Sequence, residues 1–365
     1  MGQPLCLGYE TARIAWRRAC GRVACDNEPV ADDPEAIPLL ERVLFHDGEG
    51  IALGSLPQPT SQTGAPARVE VDDVARLIST RTVESYGPVQ ALVSEQRGRR
   101  GFGSVRTCLL KGELPAGSFV ELPSGLVMPS PELQFVLMGR VLDVASLAAY
   151  GCELCGYYAL SEGAPMGFVS CVALTSTSRI SEYLVRLGCA RSHQGTRMPN
   201  GSGVATRALA HVVDGAASPA EASCALLLSL PRRLGGYGLP KPELNRPIRL
   251  EPEMAELMGC DTLVCDLRWP GTKTLLEYAG GLHKLPSRAV RDRRKSNVLQ
   301  SAGYEVIEAG REELMDRVAM DGVASMVARS IGVRLSSTDP EFFERQVRLR
   351  RAILPGPGQQ GRATG

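Results

Sequence analysis

Two acids, Asp266 and Glu277, sit on neighbouring apolar segments in a pattern that suits hard-cation chemistry. Cys265-Asp266-Leu267-Arg268-Trp269-Pro270 and Leu275-Leu276-Glu277-Tyr278-Ala279-Gly280-Gly281-Leu282-His283 read as two short strands joined by a Pro270-Gly271 turn. Antiparallel pairing across such a turn brings facing side chains within reach of one ion. Mg²⁺ takes few direct carboxylates and keeps several waters, so two or three converging acids suffice. A cation held this way polarises a phosphodiester and activates water. An ionised Asp266 between Leu263-Val264-Cys265 and Leu267 is costly without a partner, and a metal is such a partner. The same argument applies to Glu277 behind Thr274-Leu275-Leu276.

Glu221 follows Ser218-Pro219-Ala220 in the first turn of an expected helix. A carboxylate there either complements the helix N-terminus or reaches into a site. His283 has three roles open to it: metal or phosphate contact, general acid or base, or a solvated loop histidine. His46, His193 and His211 have no comparable context. The candidate catalytic set is therefore Glu221, Asp266, Glu277 and His283, with Glu221, Asp266 and Glu277 as ligands for Mg²⁺ or Mn²⁺. The run Arg288 to Lys295 is either the solvated face of a helix or the border of a cleft. In a cleft, Arg288, Arg291, Arg293, Arg294 and Lys295 would neutralise phosphates and release counterions.

These elements, in this order, resemble the PD-(D/E)XK nuclease superfamily. The likeness is to a bacterial family of unknown function related to the very-short-patch (Vsr-like) mismatch-repair endonuclease. That family carries a Glu-bearing helix, a strand ending near Asp, a strand reading Glu-x-Asp-Gly-x-x-His, a basic helix and a last strand. Glu221, Asp266, Glu277, His283, the Arg288–Asn297 run and Gly303-Tyr304-Glu305-Val306-Ile307 follow the same order over roughly residues 216–320. The resemblance implies a restriction-endonuclease-like mixed sheet flanked by helices, metal-dependent hydrolysis and DNA as partner. The chain departs from the family at Ala279, where the second acid, or the lysine of the wider superfamily, would stand. A lysine there orients the attacking water or stabilises charge on the phosphate. Alanine does neither. Two functions follow: an endonuclease weakened at Ala279, or a non-catalytic DNA-binding regulator.

At 365 residues the chain has room for two or three domains with proper cores. It is 44% hydrophobic and 22% charged, with a formal charge of +1, so nucleic-acid contact must come from local basic stretches. No apolar run is long enough for a bilayer, and Met1-Gly2-Gln3-Pro4-Leu5-Cys6 lacks the marks of a secretory signal. The eleven cysteines lie in apolar contexts, as in a reducing cytoplasm. Cys152 and Cys155 form the one close pair, but a zinc site needs a second pair or suitably spaced histidines.

The expected order is a helical region with an exposed Gly/Pro-rich loop at 54–68 (residues 1–102), then a small antiparallel sheet plus helices (103–215). An α/β domain (216–335) and a C-terminal helix or disordered tail (336–365) complete it. Helices are expected over 9–22, 37–44, 71–78, 131–138, 143–160, 177–187 and 204–213. Short strands are expected at 105–110, 118–122 and 126–128. Gln96-Arg97-Gly98-Arg99-Arg100-Gly101 reads as a flexible basic loop. The small sheet followed by Pro129-Ser130-Pro131-Glu132 is similar to the upstream halves of abortive-infection antitoxin proteins. The Glu153–Tyr157 stretch resembles actinobacterial proteins that join such a half to a nuclease-like domain. That likeness implies a toxin or defence-system partner.

Overall fold

The computed structural model describes residues 5–27, 56–69, 88–99, 105–122, 125–279, 286–336 and 340–354; for 22–27 and 286–292 it describes the backbone alone. The helices expected at 37–44 and 71–78, His46, His283 and the tail beyond Leu354 lie outside those residues. The chain is α/β and divides into two compact units. One comprises Met1–Leu154 and Tyr158–Ala210, the other Cys155–Tyr157 and His211–Gln360. No described helix is long and apolar enough to cross a membrane, and no disulfide joins any of the described cysteines.

The first unit begins with β1 (Cys6–Leu7) and α1 (Tyr9–Asn27). Ala12, Ala15, Trp16 and Ala19 recur at helical spacing on α1 and are all buried. β2 (Gln58–Pro59), β3 (Val89–Val93), β4 (Val105–Leu109), β5 (Phe119–Glu121) and β6 (Val127–Pro129) join β1 in a six-stranded sheet ordered β2-β5-β6-β1-β3-β4. The strands expected near 105, 118 and 126 form, but in a larger sheet that also contains parallel pairs, β1 with β6 and β3 with β4. Its core is built from Leu5, Leu7, Trp16, Ala91, Val93 and Met128.

Residues 56–69, expected as an exposed loop, keep Gln58, Pro59, Ser61, Thr63, Ala67 and Arg68 exposed but are also anchored. Gln58 and Pro59 pair with Glu121 and Val120, and Ala65 and Val69 are buried. The expected flexible loop at 96–101 opens with a short 3₁₀ turn, Gln96–Arg99. A Cβ on Gly98 would stand 2.1 Å from the Ala67 carbonyl oxygen, so only glycine permits that approach.

α2 (Pro131–Met138) follows Ser130, whose Oγ accepts the Leu133 N–H at 3.3 Å, and every residue of the helix is buried. α3 (Val144–Leu154) is shorter than expected. The chain turns at Cys155 and continues as β7 (Tyr158–Leu160), paired antiparallel with β8 (Phe168–Ser170). α4 (Thr177–His193) and α5 (Ser202–Leu209) complete the unit. Arg17 on α1 meets Glu153 on α3 through two 2.7 Å hydrogen bonds, and the Leu160 N–H donates to the same carboxylate at 3.0 Å.

The second unit runs α6 (Pro219–Ser229), β9 (Glu243–Arg249), α7 (Pro252–Met258), β10 (Thr262–Arg268), β11 (Thr274–Ala279), α8 (Pro286–Ser301) and β12 (Glu305–Gly310). α9 (Arg311–Met315), α10 (Arg317–Ser330) and α11 (Pro340–Ile353) follow. The mixed sheet is ordered β12-β11-β10-β9. β9 and β11 lie antiparallel to β10, and β12 lies parallel to β11. β9 is an edge strand and carries exposed Arg246, Pro247 and Arg249. Ile248, Leu263, Cys265 and Leu275 pack with Val298 and Leu299 of α8 into one core. α11 belongs to this unit, since the Ser223 hydroxyl of α6 donates to the Ile353 carbonyl at 2.9 Å.

Candidate functional site

Glu221 is positioned by the start of α6. Ser218 caps the helix by accepting the Glu221 N–H, and the Glu221 carboxylate folds back onto the Ser218 hydroxyl at 2.8 Å and the Ala217 N–H at 2.9 Å. A third donor comes from the edge strand. Asn245 Nδ2 reaches Glu221 Oε2 at 2.6 Å and the Gly215 carbonyl at 2.9 Å. Asn245 is buried and has a positive φ of 49°, a left-handed conformation that asparagine tolerates better than most residues. Both oxygens of Glu221 are thus engaged. The helix-terminus role weighed from the sequence is present, and the carboxylate is also turned toward the sheet.

Asp266 lies on β10 between buried Cys265 and Leu267. The β10–β11 ladder pairs Arg268 with Leu275 and Leu267 with Leu276. At the next step Asp266 takes the Tyr278 N–H of β11 at 2.6 Å onto its Oδ2. Burial, then the charges of Glu221 and Glu277, push the Asp266 carboxyl well above its ordinary range, against the opposing pull of the Tyr278 N–H and Lys295. Burial also raises Glu221, although its three hydrogen-bond donors work the other way. The three acids therefore sense one another across α6, β10 and β11.

Glu277 does not face this cluster alone. Lys295 of α8 places its Nζ 2.8 Å from Glu277 Oε1, and both side chains are largely shielded from water. Burial opposes the Lys295 charge, but Glu277, Cys265 and Asp266 outweigh it and hold the ammonium above its ordinary range. Lys295, a candidate phosphate contact of the basic helix, pairs with Glu277 and is half-buried. It shares a helical stripe with buried Val298 and Leu299, at spacings of three and four residues, and so turns inward. Arg293 and Arg294 are exposed, as expected for the solvated face. The side chains of Arg288 and Arg291 lie outside the described residues, as does His283. Ala279 is exposed at the end of β11.

Three carboxyls beside one ammonium crowd negative charge into a shielded place, which favours either a proton on Asp266 or a further cation. Among the described residues, however, no group of three or more His, Cys, Asp and Glu side chains stands in a metal-holding arrangement. Of the expected ligands Glu221, Asp266 and Glu277, Glu221 is engaged by its cap and by Asn245. Mg²⁺ needs only one or two carboxylates when waters and substrate phosphates complete its shell. Asp266 and Glu277 fit that smaller requirement.

Asp266 also carries a stability consequence. A carboxyl raised in the folded state stabilises fully below its unfolded value, near pH 4, and that contribution is lost as pH rises through the folded value. Asp266→Asn keeps an oxygen for the Tyr278 N–H and removes a half-buried charge crowded by Glu221 and Glu277. At neutral pH this variant should unfold at a higher temperature than the parent protein, with the gain vanishing near pH 4. Equal melting temperatures across that range, measured by calorimetry, would show that the charge is not costly.

Asn245 and the inward role of Lys295 were not among the expected site residues. The stripe of Lys295 with Val298 and Leu299 is a signal the sequence does contain. Nothing local marks Asn245. Compared with known proteins, the chain matches no protein-family model, no curated protein and no solved structure.

Proposed function

We propose that the second unit is a metal-dependent DNA endonuclease of the PD-(D/E)XK kind, in which Lys295 of α8 supplies the cationic group that Ala279 cannot. The observation that carries this reading is the Lys295–Glu277 ion pair at 2.8 Å beside half-buried Asp266. The order helix, strand, short helix, two further strands antiparallel in turn, helix and a parallel fourth strand, given by α6, β9, α7, β10, β11, α8 and β12, supports it.

Asp266 and Glu277 would hold the cation, which when bound polarises the scissile phosphate and eases ionisation of water. The chain's own groups have separate tasks. The Lys295 ammonium orients the attacking water or stabilises charge developing on the phosphate. Asn245 and the α6 cap fix Glu221 next to Asp266. Arg293 and Arg294 offer charge to the nucleic-acid backbone.

One observation favours a second reading, a DNA-binding regulator without catalysis. Each of the three carboxylates already has a partner within the chain: Asn245 and the cap, the Tyr278 N–H, and Lys295. Incubation of the full chain with plasmid and single-stranded DNA in Mg²⁺, Mn²⁺ or EDTA separates the two. Metal-dependent nicking supports the enzyme, and DNA binding without nicking supports the regulator. In either case Arg293→Glu with Arg294→Glu should lower the salt dependence of DNA binding by about two counterions. A protein that neither cuts nor binds DNA would sink both readings.

A further inference from the structure

Two buried cysteines of the first unit meet. Cys20 of α1 and Cys171, the residue after β8, share one small cluster with Ala159 of β7, and Val169 and Leu174 pack against it. Both are free thiols, and each is 2% exposed. The Cys171 thiol donates to the Cys20 sulfur. That bond, then burial, hold Cys171 well above its ordinary range, and the Glu153 carboxylate adds to both.

Touching cysteines can serve as small apolar fillers. What distinguishes this pair is its cover. β7 and β8 have three residues each and form a sheet of their own. Phe168 and Val169 are half-buried and Ser170 is exposed. A ribbon of two short strands is marginal by itself, so it opens more readily than the six-stranded sheet. Each opening admits small oxidants to both sulfurs.

We propose that Cys20 and Cys171 are a disulfide-forming pair that staples the β7–β8 ribbon to α1 when the protein meets hydrogen peroxide. Cys20 attacks, because Cys171 keeps its proton. The Cys20 sulfur bonds to one peroxide oxygen, the O–O bond breaks, and the departing hydroxide takes the Cys20 proton as water. The Cys171 sulfur then displaces hydroxide from the Cys20 sulfenic acid, and that hydroxide leaves as water with the Cys171 proton. Two thiols have lost two electrons, and one peroxide has become two waters. The new bond closes a loop that contains β2 through β6. Reductants reach it only through the same opening, so the link is slow to form and slow to reverse. It does not depend on the nuclease reading.

The test uses the full chain with Cys189→Ser, which removes an exposed thiol. After hydrogen peroxide and a non-reducing digest, mass spectrometry should find the Cys20 and Cys171 peptides joined, and dithiothreitol should separate them. The melting temperature of the first unit, followed by Trp16 fluorescence in a Trp269→Phe background, should rise by about 5 °C or more on oxidation. Amide exchange in β7 and β8 should slow by about tenfold or more. Cys171→Ala and Cys20→Ala should each lose the link and both shifts, so a folding defect in one does not decide the result. Peroxide that leaves the pair reduced, while oxidising the same thiols in the urea-unfolded chain, would overturn the proposal. A link from either cysteine to a different one would overturn it, as would a Cys20–Cys171 bond that leaves melting and exchange unchanged.

Discussion

Lys295→Met is expected to lower metal-dependent DNA cleavage by about 10²–10³, the usual cost of losing one charge-stabilising or water-orienting donor. DNA affinity should change little, because the ammonium faces Glu277 and not the exposed side of α8. Asp266→Asn should abolish cleavage outright, since the carboxylate central to the cluster is gone. The informative variant is the double substitution Lys295→Met with Ala279→Lys. Ala279 ends the strand that bears Glu277, so an ammonium placed there approaches the same acids from the neighbouring backbone. Recovery of about tenfold or more over Lys295→Met would show that the chemistry needs the charge and not the helix that carries it. Cleavage by Lys295→Met at the parent rate would reduce the ion pair to a structural contact.

Arg17→Met should destabilise the first unit by about 3–5 kcal/mol, because it strands the buried Glu153 carboxylate. Both partners are shielded and joined by two hydrogen bonds of 2.7 Å. Replacing both, Arg17→Met with Glu153→Leu, should recover much of the loss, since an apolar pair has no charge to desolvate. The pH dependence has a definite sign. Burial alone would raise Glu153, but Arg17 and the Leu160 N–H outweigh it and hold the carboxyl below its ordinary range. The stabilisation is therefore complete above about pH 4.3 and lost as pH falls through the lowered folded value. In the double variant this acid-side loss should disappear. The two units need not unfold together, so the reporter must belong to the first. The chain has two tryptophans. Trp16 is in the first unit and Trp269 in the second, so a Trp269→Phe background makes urea titration by fluorescence report on the first alone. A loss well under 1 kcal/mol, typical of an exposed pair, would mean that water reaches these charges.

What could be read from the sequence follows the range of the interactions. The β10–β11 pairing was legible because the Pro270-Gly271 turn and two apolar runs determine it locally, and a register slip would turn the buried residues outward. The basic helix was legible as a helix. Its inward lysine was overlooked because a run of like charges reads as a solvated face unless Lys295 is set against Val298 and Leu299. Other features depend on distant partners. β1 is two residues long and exists only because Val127 and Leu92 flank Cys6. Pro59 suggested a loop by composition, yet proline is tolerated in an edge strand, and β2 is the edge of its sheet. Asn245 reaches Glu221 from 24 residues away, and Arg17 reaches Glu153 from 136 away. No short-range pattern encodes either contact.

The β9 edge has a bearing on how the second unit behaves at high concentration. A bare strand is a template, and chains that meet edge to edge can extend one another's sheets without limit. Pro247 removes one N–H from that row, and Arg246 and Arg249 set like charges against any second copy approaching along it. The opposite edge, β12, presents exposed Glu305 and Glu308 and repels its own kind in the same way. The β9 edge beyond Glu243 is thus basic and the β12 edge acidic, so runaway polymerisation through like edges is disfavoured by both. Mixing an acidic edge with a basic one is the remaining hazard, and Pro247 stands on the basic side of that encounter.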